Sequence, residues 1–148
     1  LCFMAAAIAL TAPVAAQQIT PDAHGFIAAQ PEDLGFSDGR NQVLIAGDPT
    51  KPGMYVLRIR FVPGRGTRPH FHSQDRYITV MTGTWWVALG PESKTYDPDK
   101  MIPMKAGSVL KHPAGAYHYD GAKDEEVVVQ IVGIGPVTTT QVDQQKGR

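Results

Sequence analysis

Short runs of apolar and β-branched residues recur along most of the chain, and turn residues separate them. The runs are rich in Val, Ile, Thr and aromatic residues, and they cover residues 41–46, 54–62, 76–81, 84–89, 108–112 and 125–134. Turn pairs such as Pro63-Gly64, Thr82-Gly83 and Asp120-Gly121 lie between them. Short strands interrupted this often, without a helical period, predict an all-β chain folded as an antiparallel sandwich or barrel.

Two of these runs indicate how their strands are buried. Residues 54–61 alternate large apolar side chains with Arg58 and Arg60, which predicts one polar face. Residues 125–134 are almost continuously apolar, which predicts a central strand. We expect the core to include Phe61, Tyr77, Ile78, Val80, Val87, Val109, Leu110, Val127, Val129 and Ile131.

The remaining segments outline a single domain. Residues 17–40 are rich in Ala, Pro, Gly and Asp without a period, which is typical of an N-terminal arm. The barrel is expected over residues 41–140, followed by a C-terminal tail at 141–148. Residues 90–105 form the longest polar insertion and contain three prolines, so we expect a surface loop there.

The first sixteen residues have the pattern of a signal peptide. They are apolar and uncharged, are too short to span a bilayer, and end in small residues before Gln17. A basic segment normally precedes such a run, so we expect the natural chain to begin earlier. Cleavage would remove Cys2, the only cysteine, which suits a periplasmic or secreted protein.

Charge composition argues against two classes of partner. The 148 residues include 14 basic and 14 acidic side chains, so no excess charge favours binding to nucleic acid or to an anionic membrane surface. A small molecule is the expected partner.

Residues 70–76 have the sequence HFHSQDR and contain the first candidate functional residues. Because side chains alternate along a strand, His70 and His72 share one face and can both approach one ion. Continued alternation would add Gln74 and Arg76 to that face. The histidine pair alone leaves two interpretations open, a metal chelate or a polar strand face without a ligand.

A longer pattern around this pair resembles a known family. Intervals of five, one, three and six residues separate Gly64, His70, His72, Arg76 and Gly83. Intervals of five, one, two and three residues separate Gly107, Pro113, Gly115, His118 and Ala122. These spacings are similar to the two sequence motifs of the cupin superfamily, which contains small β-barrels.

The resemblance implies both a fold and a metal site. The fold would be a single-domain double-stranded β-helix, the jelly-roll barrel of cupins, with a metal held by His70, His72 and His118. Cupin barrels commonly pair, so a homodimer is also implied. Glycines would occupy turns that need positive φ, at Gly64, Gly83, Gly107 and Gly115.

Two positions depart from the family pattern. Arg76 stands where cupins have a glutamate ligand, and Ala122 stands where the second motif often has asparagine. A guanidinium has no free lone pair and cannot bind a metal. Arg76 could pair with a carboxylate such as Asp75 or Asp120, could bind a substrate anion in the cavity, or could mark a lost metal site. Gln74 is an alternative oxygen ligand.

The implied centre favours binding of an anion. Three neutral imidazoles leave a divalent ion its full charge and open positions, and they suit Fe, Mn, Ni, Cu or Zn. A guanidinium fork nearby would bind an anionic group well. We expect His112, which precedes Pro113, to lie at the surface or behind the ligands.

The resemblance leads to two functional hypotheses. The first is an exported metal-dependent enzyme, a dioxygenase acting on a small organic acid, enolisable carbonyl or phenol. A lyase or isomerase that uses the metal as a Lewis acid is a variant of it. The second is a binding or sensing module without turnover, because cupins serve both roles and fold alone does not decide function.

Overall fold

A computed structural model describes residues 17–37 and 39–142. These residues form short strands and three 3-10 turns, at Pro31–Leu34, Pro91–Lys94 and Pro98–Lys100, which confirms the all-β prediction. The strands in chain order are β1 (Gln17–Gln18), β2 (Gln42–Ala46), β3 (Gly53–Phe61), β4 (His70–His72), β5 (Arg76–Thr82), β6 (Thr84–Leu89), β7 (Ile102–Lys105), β8 (Val109–His112), β9 (His118–Gly121), β10 (Val127–Gly135) and β11 (Thr139–Gln141).

The strands form two sheets. The larger has the order β1-β2-β3-β10-β5-β8, and the smaller has the order β11-β4-β9-β6-β7. Apart from the parallel β1–β2 pair, neighbouring strands are antiparallel. Strand β10 lies between β3 and β5, so the prediction of a central strand over residues 125–134 is confirmed.

The apolar core lies between the two sheets. Its buried members come from both, and they are Tyr55, Leu57, Ile78, Val80, Trp85, Val87, Ala122, Val127, Val129 and Ile131. Phe61 and Leu110 pack against it and are partly buried. The core prediction is wrong for Tyr77 and Val109, which are exposed on the outer face. Alternation along β5 directs Ile78 inward and therefore Tyr77 outward.

The expected surface loop at 90–105 is partly a strand. Its first part contains two of the 3-10 turns, but its last residues form β7, which pairs with β6 at the edge of the smaller sheet. Pro103 lies within β7. A proline cannot donate a backbone hydrogen bond, and an edge strand tolerates that loss.

The segment expected as an N-terminal arm packs on the larger sheet. Strand β1 extends that sheet through β2, and the Ile19 amide donates to the Leu44 carbonyl at 2.9 Å. The Arg60 guanidinium lies 5.1 Å from the centre of the Phe36 ring. The polar face predicted for β3 is thus partly covered by the chain's own N-terminal residues.

Turn geometry agrees with the glycine spacing. The glycines expected in turns all have positive φ, at Gly64, Gly83, Gly107 and Gly115. Gly83 joins β5 to β6 with φ of 72°, and a Cβ there would lie 2.4 Å from the Glu126 carbonyl oxygen. Both the backbone conformation and the close approach therefore require glycine at this position.

The features predicted at the two ends of the chain concern residues that the structure does not describe. The proposed signal peptide, residues 1–16, and residues 143–148 of the tail lie outside the described residues. Within the described residues, no helix is long and apolar enough to cross a membrane.

Candidate metal centre

The three histidines that the sequence singled out meet on the inner face of the smaller sheet. His70 and His72 lie on β4, and His70 is directly opposite His118 on β9. One ligand atom from each of the three residues lies within 4.8 Å of the others. All three side chains are buried, with exposed fractions of 4%, 4% and 1%. Strand alternation and register together therefore place three imidazoles around one point.

Hydrogen bonds to Nδ1 leave the Nε2 atoms available for a metal. The Nδ1 atoms of His70 and His118 lie 2.7 and 2.9 Å from the carbonyls of Arg68 and Ala116. A carbonyl can only accept, so each Nδ1 carries the proton and each Nε2 keeps its lone pair. His72 Nδ1 lies 3.0 Å from the Thr139 hydroxyl on β11, which can fix the same tautomer.

The free nitrogens fit a metal ion. The Nε2 atoms of His72 and His118 are buried and have no hydrogen-bond partner among the described residues. Burial lowers the pKa of each of these two imidazoles to about 3, and the positive charges of neighbouring side chains contribute. Neutral imidazoles with free lone pairs are the form that binds Fe, Ni, Cu or Zn.

Arg76 lines the same cavity as two of the three histidines. The cavity has a volume of about 330 Å³, and His70, His72 and Arg76 line it. Asp75 does not pair with Arg76, because its carboxylate lies 2.6 Å from Lys111 Nζ and accepts from the Ala114 amide. Pairing of Arg76 with Asp75, one of the interpretations of Arg76, is therefore not observed.

Gln74 does not join this group. Its side chain is exposed in the turn between β4 and β5, because strand β4 ends at His72 and alternation stops there. The three histidines and Arg76 are thus the predicted site residues that the structure brings together.

The wall opposite the histidines is apolar. It is formed by side chains of the larger sheet, at Leu57, Ile59, Phe61, Ile78, Val129 and Ile131. The polar groups therefore lie at one side of the cavity, and an organic ligand would contact hydrocarbon on the other side. Apolar walls with a few convergent polar groups are typical of small-molecule sites.

No protein-family model matches the chain, and no curated protein matches its sequence. Solved structures do match. A protein with a double-stranded β-helix domain from Klebsiella pneumoniae is 15% identical with a TM-score of 0.58, over 79% of this chain and 97% of that one. A cupin 2 domain-containing protein from Halorhodospira halophila is 16% identical with a TM-score of 0.58, over 75% and 74%. The chain has the cupin fold.

A third similar structure is that of an enzyme. The polyketide cyclase RemF from Streptomyces resistomycificus is 17% identical with a TM-score of 0.57, over 71% of this chain and 72% of that one. Identities this low support the cupin fold alone. The chemistry of this chain has to be argued from its own side chains.

Asp120 supplies a carboxylate in the cavity that Arg76 also lines. It lies two residues after His118 on β9, is 5% exposed, and lines the cavity. The Thr67 hydroxyl lies 3.0 Å from its carboxylate. Burial raises the pKa of the Asp120 carboxyl, while the neighbouring His70, the Thr67 hydrogen bond and the Arg76 guanidinium oppose that rise.

His112 lies beside this centre, one of the two positions that the sequence left open for it. It is 2% exposed, so the expectation of a surface position was wrong and the alternative, a position behind the ligands, is observed. Its ring lies 3.7 Å from that of His118, centre to centre, at an interplanar angle of 34°. Both ring nitrogens lack hydrogen-bond partners among the described residues.

A second group of potential ligand atoms includes this histidine. One ligand atom from each of His112, His118 and Asp120 lies within 4.8 Å of the others. On β8, His112 pairs with Arg76, which places it in the barrel interior. Nothing local in the sequence distinguishes it from a polar residue at a strand end.

Proposed function

We propose that the protein is a metal-dependent enzyme that transforms a small organic acid, enolisable carbonyl compound or phenol bound as an anion. One observation carries this proposal. His70 and His72 of the three-histidine cluster line a cavity with an apolar wall together with Arg76. Among the described residues, the Nε2 atoms of His72 and His118 have no hydrogen-bond partner, and Arg76 has no carboxylate partner within 4.0 Å. A structural cluster would not need both a ligand set for a cation and a donor for an anion.

His70, His72 and His118 would hold the ion. When bound, a divalent transition metal supplies Lewis-acid or redox chemistry at a site with open coordination positions. Iron, manganese, nickel, copper and zinc all accept imidazole nitrogen, and the ligand set does not select among them.

The other side chains would bind and orient the substrate. The Arg76 guanidinium donates to the negative group of the substrate, and its fixed fork limits how that group can turn. The apolar wall of the larger sheet covers the organic part and excludes water from it. Thr139 holds the His72 ring in place from β11.

Two types of reaction are consistent with this arrangement. Oxygen-dependent cleavage is our first proposal, because three neutral donors suit a redox-active metal and leave positions open. Cyclisation, isomerisation or elimination without oxygen is the second, and the buried Asp120 carboxylate beside the histidines favours it, since such reactions need proton transfer. RemF, with a similar fold, is a polyketide cyclase.

Oxygen uptake separates these possibilities. We would load metal-free protein with Fe(II) and supply β-diketones, catechols and short hydroxy acids, measuring both oxygen consumption and product formation. The first proposal predicts oxygen consumption with at least one substrate class and none with His118→Ala. Product without oxygen consumption would support the second reaction type. Binding without product, for every substrate and metal, would favour a binding module instead.

We also propose that the protein is exported and forms a homodimer. The apolar run at residues 1–16 and its small-residue end support export, and the pairing common among cupin barrels supports the dimer. Protein recovered from the periplasm should begin at Gln17 by mass spectrometry and should have twice the chain mass by light scattering. A retained Cys2, or the mass of one chain, would contradict the respective expectation.

A further inference from the structure

Tyr55, Gly133 and Arg76 form one row across the larger sheet. Strand β10 pairs with β3 on one side and with β5 on the other, and Gly133 is opposite Tyr55 and opposite Arg76. The side chains of Tyr55 and Arg76 line the same cavity. The row therefore brings a phenol and a guanidinium together across a residue that has no side chain.

Gly133 leaves the space that the phenol occupies. A Cβ at this position would lie 2.6 Å from the Tyr55 hydroxyl oxygen and 2.8 Å from the ring carbon that carries it. The Tyr55 ring thus lies across Gly133, in the direction of the strand that carries Arg76. Any larger residue at position 133 would displace the phenol.

The Tyr55 hydroxyl and Arg76 Nε are both buried donors without an acceptor among the described residues. Tyr55 is 1% exposed, and its hydroxyl oxygen is buried without a hydrogen-bond partner among the described residues. The same holds for Arg76 Nε. The Arg76 guanidinium can donate to the phenol oxygen, but it cannot accept the phenol proton. Because buried polar groups are nearly always paired, the phenol proton and Arg76 Nε indicate a missing acceptor beside the cavity.

Charges around the row favour an anion as that acceptor. Burial raises the pKa of the Tyr55 phenol, and the adjacent Arg76 guanidinium opposes part of the rise. Asp120 lines the same cavity but forms no ion pair with Arg76 within 4.0 Å. Its carboxylate is engaged by Thr67 instead.

We propose that Tyr55 and Arg76 together bind the carboxylate of a small aromatic or branched monocarboxylic acid, at a subsite separate from the three histidines. This deepens the proposed function and rests on it. The guanidinium and the phenol supply hydrogen bonds to the carboxylate oxygens, which leaves the rest of the acid against Leu57, Ile59 and Ile131 on the apolar wall.

The size of the cavity sets the size of the acid. Its volume of about 330 Å³ is at the lower end of the usual range for ligand sites, about 300–1,000 Å³. A single ring or a short branched chain fits this space. Benzoate is therefore the probe, and benzyl alcohol is its neutral counterpart.

Calorimetric titration of benzoate into the zinc-loaded protein tests the subsite. Tyr55→Phe removes one hydroxyl and keeps the ring, and it should weaken benzoate about tenfold or more without changing the weak binding of benzyl alcohol. Tyr77→Phe is the matched control, because Tyr77 is exposed on the outer face. Arg76→Gln should weaken benzoate at least as much as Tyr55→Phe does.

The outcomes separate this inference from the proposed function. Unchanged benzoate affinity in Tyr55→Phe with a loss in Arg76→Gln overturns the shared subsite and leaves the proposed function standing. If benzoate binding disappears when zinc is removed and Tyr55→Phe has no effect, the carboxylate binds the metal. That result also overturns the subsite. If benzoate does not bind to the unmodified protein, the proposed ligand class of small aromatic or branched monocarboxylic acids is overturned. Unchanged affinity in Arg76→Gln contradicts the anion-binding part of the proposed function as well.

Discussion

Replacing His118 with alanine should lower the affinity for a transition metal at least about tenfold, since even residues that only orient a metal ligand are worth about 10- to 100-fold. His118 lies on β9, opposite His70, and its Nε2 is buried without a partner. Its Nδ1 proton is held by the Ala116 carbonyl, so the ring is oriented before the metal arrives. Removal leaves two imidazoles on one strand, which is a much weaker chelate.

The measurement is a competition titration of metal-free protein with zinc against a chromophoric chelator. His24→Ala is the matched control, because His24 is exposed in the N-terminal segment and forms no part of the cluster. We expect His24→Ala to bind like the unmodified protein. Equal zinc affinity in His118→Ala and His24→Ala would show that the three-histidine cluster is not the metal site.

Replacing Arg76 with glutamine should leave the metal in place and weaken an anionic ligand about 10- to 100-fold, the usual effect of losing hydrogen bonds to a charged group. Arg76 lines the cavity beside His70 and His72 and forms no ion pair with a carboxylate in the described part of the chain. Its loss also removes a positive charge near His72, which lowers repulsion of a bound cation. Metal affinity should therefore stay the same or rise.

Two further variants make this prediction specific. Arg76→Lys keeps the charge but lacks the planar fork, so it should recover only part of the anion affinity. Arg58→Gln is the control, because Arg58 lies on β3 and its Nε donates to Gln130 at 2.9 Å instead of lining the cavity. Anion affinities and metal contents of all three variants would be measured together. A parallel loss of metal in Arg76→Gln would mean that Arg76 supports the centre structurally and does not bind substrate.

Local patterns in the sequence were enough to predict much of the fold. The nearly continuous apolar run at 125–134 corresponds to β10, which has neighbours on both sides. The alternation at 54–61 corresponds to β3, whose inner residues contact the core. Whether a strand is buried on one face or on both directly determines which of its residues are apolar. The burial of β3 and of β10 can therefore each be predicted from a single segment of the sequence.

Pairing between distant strands could not be predicted in this way. Thr139 contacts His72 because β11 pairs with β4, and Tyr55 reaches Arg76 because both strands pair with β10. Nothing within each segment identifies its partner. The choice between the two positions expected for His112 could not be made for the same reason, since its burial follows from the pairing of β8 with β5.

The histidine cluster was predictable because two kinds of information coincide there. Alternation puts His70 and His72 on one face, and the motif spacing adds His118 from a strand far along the chain. Gln74 followed from alternation alone, and it does not join the cluster because the strand ends before it. Alternation is informative only as far as the strand continues.

The measurement that tests the central claim most directly is X-ray absorption at the zinc edge of protein loaded with one equivalent of zinc. We predict a spectrum with three imidazole ligands and oxygen or water in the remaining positions, and a change in the oxygen shell when substrate binds. A spectrum with no more than one imidazole, or with zinc bound only by oxygen, would contradict a metal centre at His70, His72 and His118.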